Sequence, residues 1–154
     1  MEKMLSLADE EGIETTYHHF KPPLYGLYIK PKGHSPMIEL NTMLRRHAPA
    51  LRSVMAEELG HHFTTTGVYM YQPFSEHFTY MDKQNVDKCE YKALKWAAQY
   101  LISDDALIEA LQDGITSTAA LAEHFVVMPY IVEMRLKLFE QSKAYQEMRQ
   151  AQEW

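Results

Sequence analysis

A single cysteine, Cys89, stands among 154 residues. No disulfide can therefore close within the chain, and a lone thiol suits a reducing compartment. No run approaches the ~20 apolar residues of a membrane span. The opening MEKMLSLADEEG lacks the apolar stretch of a signal peptide. Positive charge is also scarce: 15 Lys and Arg face 21 Asp and Glu, a net −6. Phosphate backbones need a concentration of cations, so binding nucleic acid through bulk charge is excluded. Internal repeats, low-complexity tracts and Gly/Ser linkers are missing too. What is present is 46% hydrophobic and 23% charged residues, enough to bury a core. The expectation is a cytoplasmic protein that does not enter a membrane, built as one domain or one domain with a small helical annex.

Periodicity divides the chain into a mixed part and a helical part. Met4, Leu5 and Ala8 recur at helical spacing, and Gly12 sits where that first helix would stop. The runs IETTYHHF, LYGLYIKP and SPMIELN are rich in β-branched and aromatic residues, with Pro22-Pro23, Gly26 and Pro31-Lys32-Gly33 between them. They predict two or three short strands of an antiparallel sheet, Pro36 entering the last. Asn41 or Thr42 can cap a helix reaching Phe63, although Pro49 leaves its true start open. Residues 64–86 are expected to be irregular, and a loop of that length is usually functional. Helices are expected from Asp87 to Ile102, from Ser103 to Gln112 before Gly114, from Thr116 or Ser117, and from Met128-Pro129 toward Trp154. The division falls near residue 104, giving an α+β core over 1–103 and a helical annex over 104–154.

The segment Ala56-Glu57-Glu58-Leu59-Gly60-His61-His62-Phe63 carries chemistry. At 100° per residue, Glu57 and His61 lie about 40° apart one turn from each other, with Glu58 about 60° from His61 on the other flank. Leu51, Met55, Leu59 and Phe63 occupy a separate arc expected to face the core. Two metal-capable side chains at i, i+4 with a carboxylate beside the first have the geometry of a zinc peptidase helix. There the pair holds the ion and the extra Glu handles the protons of its water. On spacing alone, a solvated Glu-Glu face with one buried histidine is the favoured reading.

MAEELGHHFTT, followed by EYKALKWAAQYLI from Glu90 to Ile102, resembles the ImmA/IrrE family of metallo-endopeptidases. That family reads HELGHH on its first motif helix and E-x-x-A-x-x-F-A-A-x-x-L on its second. The resemblance implies a zincin-like core with a metal-binding helix. It implies that Glu57, His61 and Glu90 are metal ligands and Glu58 the general base. It further implies a helix-turn-helix repressor, typically of a phage or integrative element, as the partner cleaved or inactivated. Beside this, Glu90, Ala93, Leu94, Ala97 and Leu101 share a helical face whose alanines allow a close approach. The alternative is an exposed Glu in a first helical turn, and given the partner motif the ligand role is favoured.

The chain departs from the family at Glu57, where HExxH has its first His. Two carboxylates and one imidazole form a harder, more anionic set than His₂Glu. Zinc is the expected ion, with manganese or iron more competitive, and a degenerate, non-catalytic member is also compatible. His62 falls in the apolar arc and reads as a hydrogen-bonded core residue. His77 is a weak alternative to Glu90, and His18, His19, His34 and His47 read as strand, turn and surface residues. Tyr69, Tyr71 and Tyr80 are candidates to stabilise an oxyanion or line a peptide groove, and Cys89 reads as packing. The run DDALIEALQDGITSTAALAEHFVVMPYIVEMRLKLF resembles a helix-turn-helix unit. Its would-be recognition helix offers only Tyr130, Glu133, Arg135 and Lys137, so a cap closing the core is favoured over a DNA reader. Three functions follow: a metal-dependent endopeptidase, a non-catalytic anti-repressor, or a DNA-binding regulator.

Overall fold

The computed structural model describes residues 1–65 and 80–152, and the side chains of all of these but 80–86. The fold is α+β. Helix α1 (Glu2–Glu10) ends as expected, with Gly12 in left-handed backbone at φ +68°. Three strands follow, β1 (Glu14–His18), β2 (Gly26–Ile29) and β3 (Met37–Asn41), in the order β1-β3-β2. β2 runs antiparallel to β3, but β1 lies parallel to it, so the sheet is mixed rather than antiparallel. The reason is the crossing taken by residues 19–25, which carry the chain from one edge of the sheet to the other. Fully buried Asn41 holds that crossing: its Nδ2 donates to the carbonyls of Phe20 and Leu24, both at 2.9 Å. Its backbone N–H donates to Tyr25. No strand periodicity announces such a side-chain bracket.

Asn41 also caps, as expected, but what it caps is a 3₁₀ turn (Thr42–Arg46), its Oδ1 accepting from Met43 N–H. The main helix α2 (Ala48–Thr64) starts afresh at Pro49 in its first turn, with His47 Nδ1 accepting from Ala50 N–H. Proline tolerates that position because its missing N–H would have no helical partner. Helix α3 (Tyr80–Leu101) begins about two turns before Asp87. Then come α4 (Asp104–Gln112) and α5 (Thr118–Phe125), capped by Ser103 and Ser117 through hydrogen bonds to Ala106 and Ala120 N–H. The terminal helix is two, α6 (Pro129–Glu140) and α7 (Lys143–Gln152), because Ser142 caps a new start by accepting from Tyr145 N–H.

One core joins these elements. Met55 and Leu59 of α2 are buried with Tyr28, Ile38 and Leu40 of the sheet, Ala97 and Ala98 of α3, and Ile131 and Val132 of α6. Phe63, expected in that core, is 40% exposed and stacks on Trp96 instead. Among the described residues no helix is long and apolar enough to cross a membrane.

Candidate metal centre

Helices α2 and α3 approach each other closely. A Cβ on Gly60 would stand 2.4 Å from the Ala93 carbonyl oxygen, so the two helices touch backbone to backbone. Glycine at 60 and alanine at 93 permit that crossing, and Glu90 lies one turn before it. Its Oε2 reaches to 3.4 Å from His61 Nε2. A second close approach seats the sheet on α2: a Cβ on Gly26 would meet Val54 Cγ1 and Glu58 Oε1 at 2.5 and 2.6 Å. The Tyr28 backbone N–H donates to the Glu58 carboxylate.

These approaches enclose a cleft of about 300 Å³. Along one wall runs the outer edge of β2 with the residues before it, Pro23 to Tyr28. Opposite stand Glu57, Glu58, His61, Glu90 and Tyr130. All four residues expected at the site thus converge on one space from two helices. Tyr130, named at first only for a recognition helix, is the unexpected member: its hydroxyl donates to Glu57 Oε1. No local signal could have found it, since it lies 73 residues further along the chain.

Other expectations separate here. His62 lies outside the cleft, with Nδ1 2.9 Å from Tyr28 Oη and Nε2 3.2 Å from Glu11 Oε2. It ties α1, β2 and α2 together. Cys89 is a half-buried free thiol. His77, Tyr69 and Tyr71, with most of the expected 64–86 loop, lie outside the described residues, as does the side chain of Tyr80.

Electrostatics mark the cleft as short of positive charge. Burial pushes the Glu58 carboxyl up to about 8, with Glu57 and Glu90 adding to the rise and His61 opposing it. Burial also raises Glu57, partly offset by the Tyr130 hydrogen bond. For His61, burial works against the charged form, but the hydrogen bond to Glu90 and the nearby carboxylates prevail and raise its pKa. The Tyr130 phenol is raised by burial and by the Glu57 charge, so it keeps its proton and donates.

The donor set fits a divalent cation. Three carboxylates and an imidazole line the cleft without a lysine or arginine among the described lining residues, and buried anions need such a partner. Two ligand atoms at about 2.1 Å on a tetrahedral ion stand about 3.4 Å apart, the observed separation of His61 from Glu90. Among the described residues no three His, Cys, Asp or Glu side chains are drawn together as a closed metal site, consistent with Glu57 being held by Tyr130.

Comparison with curated proteins and with solved structures gives no match. The Peptidase_M78 model, described as the IrrE N-terminal-like domain, matches residues 8–137. That stretch contains both motif helices, the sheet and most of α6. The chain therefore belongs to the IrrE-like M78 metallopeptidase family.

Proposed function

We propose that the protein is a metal-dependent endopeptidase whose ion is held by Glu57, His61 and Glu90, with Glu58 as the general base. The observation that carries this reading is the convergence of those four side chains on one cleft beside the edge of β2 that no strand covers among the described residues. An extended peptide can add to such an edge as a further strand, which would lay a scissile bond across the cleft. Once bound, a divalent ion supplies the Lewis acid that polarises a carbonyl and acidifies water. The protein's own groups do the rest. Glu58, aimed by the Tyr28 N–H, takes a proton from the attacking water and returns it to the leaving amine. Two carboxylates and one imidazole accept zinc, and the hardness of the set widens the choice toward manganese or iron.

The family resemblance supplies the substrate class, a helix-turn-helix repressor whose loss relieves repression of a phage or mobile element. The test incubates protein purified without chelators with a helix-turn-helix repressor, one encoded by an adjacent gene where there is one, with and without chelator, and looks for fragments on a gel. Fragments formed only without chelator are expected. Glu58→Gln should bind the ion and leave the repressor whole. Protein that carries no stoichiometric metal would sink the proposal.

A second reading is a non-catalytic anti-repressor. The carboxylate at position 57, engaged by Tyr130 rather than gathered with His61 and Glu90, favours it. Complex formation without fragments would decide for it. The DNA-reading alternative loses two of its four side chains, since Arg135 is buried and Tyr130 is committed to Glu57.

A further inference from the structure

Tyr130 reaches the cleft because α2 grips the start of α6. Ser53, fully buried, donates to the Pro49 carbonyl and accepts from Met128 N–H at 2.9 Å. One residue earlier, Arg52 Nε donates to the Val126 carbonyl at 3.1 Å. Midway along, α6 is anchored by buried Arg135, which donates to the Ile102 carbonyl and to the Asp104 carboxylate. The phenol is therefore presented by a braced helix rather than a loose loop.

Its position answers a question the carboxylate at 57 raises. A carboxylate has two equivalent oxygens and can swing, or close on an ion through both, whereas imidazole offers one nitrogen. With Oε1 accepting from Tyr130, Oε2 is the oxygen left to face an ion. The same hydrogen bond tempers one of three negative charges that no lysine or arginine among the described lining residues offsets. We infer that Tyr130 is a positioning residue that fixes Glu57 as a one-oxygen ligand and so suits this cleft to a carboxylate where the motif has histidine. This rests on the reading of Glu57 as a ligand.

The test measures metal binding rather than cleavage. Chelator-stripped protein is titrated with zinc against a chromogenic chelator, and separately with cobalt while its visible spectrum is recorded. The variants are Tyr130→Phe, Glu57→Ala, Glu57→His and each Glu57 variant combined with Tyr130→Phe, all checked for folding by circular dichroism. Tyr130→Phe should weaken zinc binding by about 10–100-fold, the usual cost of losing an outer-sphere partner, and should alter the cobalt bands. Without a carboxylate at 57, adding Tyr130→Phe should change affinity less than about twofold, because the interaction it removes is already gone. Glu57→Ala gives that background should Glu57→His not fold. Unchanged zinc affinity and cobalt bands in Tyr130→Phe, with Glu57→Ala still weakening binding, would overturn this inference and leave Glu57 a ligand. An equal loss in all backgrounds would overturn it as well, showing a general structural role. Full affinity in Glu57→Ala would remove Glu57 from the ligand set and the inference with it.

Discussion

Val126 is the one non-glycine residue with positive φ among the described residues, at φ 55° and ψ 55°. A β-branched side chain pays roughly 1–2 kcal/mol for left-handed backbone. The strain persists because the turn between α5 and α6 is held on both sides, by Arg52 at the Val126 carbonyl and by Val127 N–H on the Ala122 carbonyl. The side chain is 41% exposed, so removing it gives up only part of a valine's burial against the strain relieved. Val126→Gly should therefore stabilise the protein by up to about 1 kcal/mol after the flexibility of glycine is set against the strain. That corresponds to a Tm rise of about 2–4 °C, and an unchanged or lower Tm in a thermal melt would contradict it. The site residues themselves show what one residue's neighbours in sequence can tell. That Glu57, Glu58 and His61 stand close together on one helix was legible from helical spacing, which the backbone enforces, whereas their proposed roles come from the family resemblance. Tyr130 and Asn41 were not legible, because each acts on groups far along the chain or across a loop, where no period applies.

At the scale of elements, caps and breaks were legible, and so was the close approach of α3 to α2, announced by its alanine face; the strand crossing was not. Ser103, Ser117, Gly12 and Gly114 mark helix ends by local hydrogen bonding or backbone freedom. The parallel pairing of β1 with β3 depends on which elements meet. The α2–α3 crossing is the one that makes the site, and Gly60 tests it. In an isolated helix, alanine at this position would be favoured over glycine by about 1 kcal/mol. Here its Cβ would press on a backbone oxygen that cannot rotate away. Overpacking of that kind costs about 1–3 kcal/mol and is relieved only by parting the helices, which draws Glu90 from His61. Gly60→Ala should thus lower Tm despite its better helix propensity. It should also weaken zinc binding on the order of tenfold, comparable with the loss of an outer-sphere partner. Calorimetry and chelator competition on the same variant check both halves.

Across the whole molecule, the cleft couples folding to protons and to metal in opposite senses. In the metal-free protein Glu57, Glu58 and His61 all have raised pKa values, Glu58 at about 8 against an ordinary 4.5. Between those two pH values the folded state holds more protons than the unfolded chain. Stability from these groups is complete below pH 4.5 and is lost as pH rises toward 8. A bound divalent ion reverses the preference, since it favours ionised carboxylates and neutral imidazole, so binding releases protons and strengthens as pH rises. Titrating groups outside the cleft act alike in both forms, so the difference between the two isolates the cleft residues. Melting curves from pH 5 to 8 should show the gap between zinc-saturated and chelator-treated protein widening with pH. Parallel curves would mean that Glu57 and His61 do not hold an ion. The same curves taken with Glu58→Gln, which removes the strongest pH-dependent burden in the metal-free state, should flatten the chelated limb while leaving the zinc-dependent rise in place.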